Sequence, residues 1–210
     1  MRLGLNYQPE HSPTLSAAKY RVALGAGIFV HLAFVVVETM CGLLSHSMAL
    51  LADAGHNLIV VFCVGISWRT VSKSARRAMR PVYRTRNSSV ARSFAGAVSL
   101  SLITAALAWE AVQRINSPPP LGPMATAEVA LLGVAVNGVL ALFMWTNRKD
   151  LVARRALSHL AAGAAFSLAV TLGIAITTLT EWNWLEPLPA IGLYFIILEK
   201  LERFNSRSLP

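Results

Sequence analysis

The sequence predicts an all-α fold, an integral membrane bundle of six transmembrane helices with both termini cytoplasmic. Three observations predict it. Of the 210 residues, 55% are hydrophobic and only 14% are charged, whereas about a quarter are charged in an ordinary soluble domain. The mean hydropathy is +0.53. The apolar residues also fall into six runs, each near the roughly 20 residues that a helix needs to cross a bilayer.

The six predicted helices follow one another with short connections. Backbone groups in lipid must be bonded within the protein, and the runs lack the alternation of barrel strands, so helices are the predicted element. Their predicted bounds are 22–43, 47–68, 92–113, 125–146, 158–180 and 183–199. The predicted domains are therefore a cytoplasmic segment at 1–21, a transmembrane domain at 22–199 and a short cytoplasmic tail at 200–210.

The basic residues predict the orientation. Of the 19 Lys and Arg residues, all but Arg114 lie in or beside the N-terminal segment, the helix 2–3 and 4–5 connections and the C-terminal tail. Short cytoplasmic loops retain Lys and Arg, so these parts are predicted to be cytoplasmic. The links on the opposite side are "SHS", "INSPPPLGP" and "EWNW", and the tryptophans of the last suit a membrane interface.

The net charge of +9 does not indicate nucleic-acid binding. Nucleic-acid recognition needs a basic face on a soluble fold, whereas these basic residues separate apolar segments. We expect no nucleic-acid partner. Cys41 and Cys63 each lie inside an apolar run, which predicts neither a disulfide nor a zinc–thiolate site.

Helix 2 carries three polar residues in the middle of an apolar run. Asp53, His56 and Asn57 are spaced i, i+3 and i, i+4, so they share one helix face. An aspartate at the centre of a membrane helix costs roughly 2.5 to 3.5 kcal/mol, and such residues normally face a bundle interior. With His159 of helix 5 they form a candidate metal site, because imidazole suits Zn and similar ions. A polar pair that only fixes packing is an equally good interpretation.

Other polar residues within the predicted helices have simpler interpretations. Glu38 and Glu110 lie near helix ends, where we expect them to be hydrated or bonded at the interface. Asn137 of helix 4 is expected to bond a neighbouring helix rather than a ligand.

Several motifs resemble the cation diffusion facilitator family. The most specific is "HLAFVVVETMCGLLSHSMALLADAGHNL", with a glutamate late in helix 1, a Ser-x-Ser link and an Ala-Asp-Ala-x-His-Asn signature. Further similar stretches are "AWEAVQRINSPPP", "GVAVNGVL" and "WNWLEPLPAIGL", so the resemblance covers roughly residues 20 to 198. It implies a six-helix, usually dimeric antiporter that exports Zn²⁺ or a similar divalent cation in exchange for protons.

The resemblance also implies four metal ligands, a His or Asp followed four residues later by an Asp, in both helix 2 and helix 5. The first ligands fall on His56 and His159. The second fall on Val60 and Gly163, which cannot bind a metal. Asp53 is the only nearby carboxylate that could substitute, and Asn57 is a supporting polar group. We expect weakened Zn²⁺ binding, because neutral imidazoles do not offset the charge of a divalent ion in a low-dielectric interior.

The predicted protein is therefore a transporter rather than an enzyme, multi-pass in the plasma (inner) membrane. It exchanges a divalent cation, with Zn²⁺ favoured as substrate and not as cofactor, for protons. Two alternatives stay open. One is a transport-inactive family member that acts as a structural or regulatory partner of an intact relative. The other is a carrier for another solute, including a softer or monovalent cation.

The resemblance further implies a homodimer, with a heterodimer as an alternative. Ser93, Ala97 and Ser101 recur every four residues on helix 3, a pattern on which another helix can pack closely. Packing within one subunit explains this pattern equally well. Neither a His-rich loop between helices 4 and 5 nor a cytoplasmic metal-binding domain after helix 6 is expected, since the sequence there is "NRKDLVARRA" and "KLERFNSRSLP".

Overall fold

The computed structural model describes residues 17–77, 86–117, 126–146 and 151–208. Within these residues the chain forms six long helices and no strand, which confirms the all-α prediction. A single 3-10 turn, Asn183–Leu185, precedes the last helix. The helices are α1 (Ala17–Leu44), α2 (Met48–Arg77), α3 (Arg86–Asn116), α4 (Thr126–Thr146), α5 (Leu151–Thr180) and α6 (Leu188–Ser208).

Among the described residues, four of these helices contain stretches that are long and apolar enough to cross a membrane. The stretches are Val22–Leu44 in α1, Met48–Gly65 in α2, Thr126–Thr146 in α4 and Ala156–Thr180 in α5. They support an all-α membrane bundle.

The helix bounds depart from the predicted ones mainly at the ends rich in basic residues. α2 continues to Arg77 and α5 begins at Leu151, because helices extend beyond the apolar run that identifies them. α6 begins at Leu188 instead of 183, since residues 183–185 form the 3-10 turn and Pro187 follows it. The predicted segment 1–21 and the "SPPPLGP" part of the helix 3–4 link fall largely outside the described residues.

Helix α2 is the centre of the bundle and packs against α1, α3, α4, α5 and α6. The consecutive helices α1 and α2, and likewise α4 and α5, pack as antiparallel pairs, and α3 packs mainly on α6. A first apolar cluster lies between α1, α2, α4 and α5 toward the α2–α3 connection. It comprises Leu24, Val60, Val64, Met144, Ala153, Ala156 and Leu160. Two other clusters join α2 to α3 and α6, and α2 to α4 and α5.

The turn between α1 and α2 is tight and well bonded. His46 has φ 58°, the left-handed conformation that commonly ends a helix. The Ser47 amide donates to Gly42 O at 2.9 Å, and Arg114 Nη1 of α3 donates to His46 O at 2.9 Å. The turn is thereby held by the end of α3.

Glu186, in the link between α5 and α6, caps the start of α2. Its Oε1 accepts from Ser47 Oγ at 2.7 Å and from the Ala49 amide at 2.8 Å. Ser47 Oγ in turn accepts from the Leu50 amide at 3.1 Å. The first amides of a helix have no partner within it, and a carboxylate there also suits the helix dipole. The α5–α6 link is thus tied to α2.

Candidate functional site

The polar face of α2 points into the bundle. Asp53 and Asn57 have no exposed surface, and His56 is 6% exposed. The i, i+3 and i, i+4 spacing therefore brings all three side chains inside, as predicted.

A chain of buried hydrogen bonds links α2 to α1 and α4. Asn57 Nδ2 donates to Glu38 Oε2 at 2.9 Å, and Asn57 Oδ1 accepts from Asn137 Nδ2 at 2.8 Å. Asn137 Oδ1 lies 3.0 Å from His31 Nε2, and Asn137 Nδ2 also donates to Gly133 O at 3.0 Å. Since Oδ1 of an amide only accepts, His31 Nε2 carries the proton of this bond. The chain therefore runs from His31 through two amides to the Glu38 carboxylate.

A second carboxyl group lies beside Glu38. Asp53 Oδ1 accepts from Ser167 Oγ of α5 at 2.8 Å, and the Asp53 and Glu38 carboxyl groups are close enough to interact with each other. Both side chains are fully buried. Two neighbouring negative charges in a low-dielectric interior are costly, so the pair favours a shared proton or a cation beside it.

The predicted ligands His56 and His159 occupy different surroundings. The His56 ring stacks on Phe166 of α5, with centroids 4.7 Å apart and an angle of 13° between the planes. His159 is half-buried on the same helix. In the part of the chain that the structure describes, no group of three or more His, Cys, Asp or Glu side chains lies close enough to hold a metal ion.

The two positions that lack a carboxylate are filled differently. Val60 is 3% exposed and belongs to the first apolar cluster. Gly163 is buried, and a Cβ atom placed on it would lie 2.5 Å from Asn137 Oδ1 and 2.9 Å from Asn137 Cγ. Apolar packing thus fills the α2 position, and the amide of Asn137 occupies the space beside the α5 position.

The structure revises the interpretation of the other polar residues. The expectation that Glu38 is hydrated at the interface is wrong, because Asn57 binds it within the bundle. Glu110 fits that expectation, since it is half-exposed and bonded to Arg114 at 2.9 Å. The expected bond of Asn137 to a neighbouring helix is confirmed, with partners on both α1 and α2.

Sequence reasoning did not place His31 or Ser167 in the site. His31 was one imidazole in an apolar helix, and serine is common in membrane helices, so neither residue type is specific. A signal existed for Ser167, which lies four residues after Gly163 and therefore on the same face of helix 5.

Residues 24–201 match the sequence profile of the cation efflux transmembrane domain. The chain belongs to the cation efflux, or cation diffusion facilitator, family. This confirms the resemblance seen in the sequence motifs. Together with the apolar helices it identifies a multi-pass membrane protein of the inner (plasma) membrane, from a family of transporters rather than enzymes.

The relatives are bacterial metal transporters. The chain is 30% identical over 191 residues to the zinc transporter ZitB of Pectobacterium atrosepticum, covering 90% of this chain and 59% of the relative. It is 30% identical over 185 residues to ZitB of Escherichia coli, covering 84% and 57%. It is 24% identical over 171 residues to the cadmium, cobalt and zinc/H(+)-K(+) antiporter of Bacillus subtilis, covering 79% and 54%. The chain thus spans less than three fifths of the length of these relatives.

Proposed function

We propose that the chain forms the membrane-spanning part of a divalent-cation exporter that moves Zn²⁺ in exchange for protons. Its family membership and the names of its relatives support transport of a metal cation. The observation that carries the proposal is the set of fully buried polar side chains at the centre of an apolar bundle, on α1, α2, α4 and α5. Ionisable groups at membrane depth mark ion and proton pathways.

The proposed cation site is centred on His56 and His159, with Asp53 as the carboxylate and Asn57 as a supporting polar group. Imidazole nitrogen and carboxylate oxygen are both Zn²⁺ ligands. Histidine binds a metal ion only when it is neutral, so cation release and proton uptake can alternate on one ring. Asp53 lies one turn before His56 on α2, whereas position 60 lies one turn after it. An ion bound by Asp53 and His56 is therefore closer to the α1–α2 turn than an ion bound by His56 and position 60.

We further propose that the protein works as a dimer, either with itself or with an intact relative. The sequence supports this, because small residues recur every four positions along α3, a pattern that suits close helix packing. The side chains of Ser93 and Ala97 fall outside the described ones, and within the chain α3 packs on α6.

A second candidate function is that of a transport-inactive partner. The filling of the Val60 and Gly163 positions by packing and by the Asn137 amide favours it. Such a subunit keeps the six-helix scaffold and assembles with an intact relative, but it does not carry Zn²⁺ itself.

Zn²⁺ uptake into proteoliposomes distinguishes the two functions. The purified protein alone, reconstituted with a Zn²⁺ indicator inside and a proton gradient, is expected to carry Zn²⁺. His56→Ala is expected to abolish the flux. His46→Ala is the matched control, since His46 is exposed in the α1–α2 turn and its substitution is expected to leave the flux intact. A folded wild-type protein without flux would reject the exporter and favour the inactive partner.

A further inference from the structure

Two open grooves run along α1 on the outer surface of the bundle, one against α2 and one against α4. The α1–α2 groove has a volume of about 500 Å³. The α1–α4 groove has a volume of about 540 Å³, and its described lining residues are all apolar. Neither groove contains a residue of the proposed cation site, so a ligand bound in one of them is independent of the proposed function.

The α1–α2 groove is open because glycines take the place of larger side chains on both of its walls. A Cβ atom placed on Gly65 of α2 would meet no described atom within 4 Å. A Cβ atom on Gly25 of α1 would lie 3.7 Å from Trp68 Nε1, so the indole of α2 reaches across to α1. Trp68 is itself 39% exposed. The groove is therefore open over Gly65 and bordered at one end by an indole ring.

The length of this groove suits one leaflet of a bilayer. Along α2 it extends from Val61 to Arg69, about 12 Å for a helix that rises about 1.5 Å per residue. Half of a hydrocarbon core about 30 Å thick is about 15 Å. The apolar stretch of α2 ends at Gly65, which places Trp68 and Arg69 at the membrane interface. An acyl chain that enters from this interface therefore lies along the apolar part of the groove.

The interfacial end of the groove is positively charged. Arg69 is exposed there, and among the described residues no carboxylate pairs with it. A guanidinium group donates hydrogen bonds to phosphate oxygens, and tryptophan favours the membrane interface. Basic pockets between membrane helices on the cytoplasmic side, the side that the Lys and Arg residues predict for this end of α2, bind anionic lipid head groups. The α1–α4 groove has no basic residue in its described lining.

We propose that the α1–α2 groove binds an anionic phospholipid of the cytoplasmic leaflet. One acyl chain lies over Gly65, between Ile28 of α1 and Val61 of α2. The headgroup phosphate accepts hydrogen bonds from Arg69, and Trp68 borders the glycerol part of the lipid. The lipid fills a space that the described side chains of α1 and α2 leave open, and it joins the two helices at their cytoplasmic ends.

Native mass spectrometry of the purified protein in detergent tests the headgroup contact. The probes are phosphatidylglycerol and phosphatidylcholine with identical acyl chains. The wild-type protein is expected to bind phosphatidylglycerol about fivefold more tightly, which is the contribution of about one basic residue near a membrane surface. Arg69→Gln is expected to abolish this preference. Arg154→Gln removes the same charge from an exposed position near the cytoplasmic end of α5 and is expected to keep it. Equal effects of the two substitutions would overturn the proposal in favour of a general attraction to the basic side.

Filling the groove tests the acyl-chain contact. Gly65→Leu has room for its side chain and is expected to lose the tightly bound lipid, whichever headgroup is supplied. Gly138→Leu on α4 is the matched control, because a Cβ atom there also meets no described atom within 4 Å and Gly138 lines neither groove. Unchanged lipid binding in Gly65→Leu would overturn the proposal. A changed oligomeric state with unchanged lipid binding would assign the groove to a second copy of the chain.

Photocrosslinking of the wild-type protein needs no variant and so does not depend on how any variant folds. Phosphatidylglycerol with a diazirine on one acyl chain, added at a one-to-one ratio, is expected to label the segment around Phe62 in preference to the segment around Val139 of the α1–α4 groove. Equal labelling of the two segments would contradict a specific site. None of these measurements involves Zn²⁺, so their failure leaves the proposed function standing.

Discussion

The interface between α2 and α5 has a polar half and an apolar half. In the polar half, near the α1–α2 turn, Asp53 Oδ1 accepts a hydrogen bond from Ser167 Oγ. Asn57 of the same half accepts one from Asn137 Nδ2. In the apolar half, toward the α2–α3 connection, Val60 and Val64 pack on Ala156 and Leu160. The polar half ends at Asn57, and the apolar half begins at Val60, about one helical turn further along α2.

This comparison shows that positions 60 and 163, where the family resemblance implies carboxylates, have different surroundings. Position 60 belongs to the apolar half, where a valine contributes to packing. Position 163 lies opposite the polar half, where the space is occupied by a hydrogen-bonding amide. Restoring a carboxylate therefore opposes packing at one position and requires an amide to move at the other.

The largest effect is expected from breaking the polar half. Asn57→Leu removes the bonds to Glu38 and Asn137 and leaves both partners buried without them, which should lower the free energy of unfolding by about 3 kcal/mol. The matched change in the apolar half, Val60→Ala, removes only apolar contacts and should cost about 1.5 kcal/mol. Thermal unfolding in detergent measures both. Equal losses would show that the hydrogen bonds add nothing beyond packing.

A smaller effect is expected from a methyl group on Gly163. Gly163→Ala brings Cβ within 2.5 Å of Asn137 Oδ1, and such overpacking should cost about 1 to 3 kcal/mol. Gly173→Ala, on the same helix with no atom within 4 Å of the new Cβ, should be neutral or stabilising by up to about 1 kcal/mol.

The Gly163 contact also determines how the four-ligand site can be rebuilt. Val60→Asp with Gly163→Asp is expected to bind Zn²⁺ tightly only when Asn137→Ala is added, because the new side chain needs the space of the amide. Tight binding by the double variant with Asn137 intact would show that the amide moves aside freely.

The smallest effect is expected at the end of the polar half, where Glu186 caps α2. Glu186→Ala removes the acceptor of Ser47 Oγ and of the Ala49 amide, which should cost about 1 kcal/mol. Glu186→Gln keeps an acceptor oxygen in the same place and should recover most of that loss. Hydrogen exchange at the first amides of α2 gives a local measurement, and unchanged exchange in Glu186→Ala would contradict the cap.

The sequence predicted more of the fold than of the site. Six apolar runs identified six helices, because a membrane span is set by length and composition alone. The spacing of Asp53, His56 and Asn57 correctly predicted one buried face. The partners of that face could not be predicted, because whether Asn137 or His159 meets α2 depends on the packing of α4 and α5, which no local pattern encodes. The start of α6 was placed too early, since the tryptophans of the link extend the apolar run past a 3-10 turn.

The hydrogen bonds of α2 become possible in the order in which their partners are synthesised. The Asn57–Glu38 bond joins residues 19 positions apart, within the first hairpin, whereas the bonds from Asn137 to Asn57 and from Ser167 to Asp53 span 80 and 114 positions. The bond from Ser47 to Glu186 spans 139 positions and is the last of these hydrogen bonds to become possible. Chains emerge and fold from the N-terminus, so Glu38 is the first polar partner available to α2. At that point the first amides of α2 are not yet capped by Glu186. The N-terminal cap of α2 therefore cannot form until the α5–α6 link has been made.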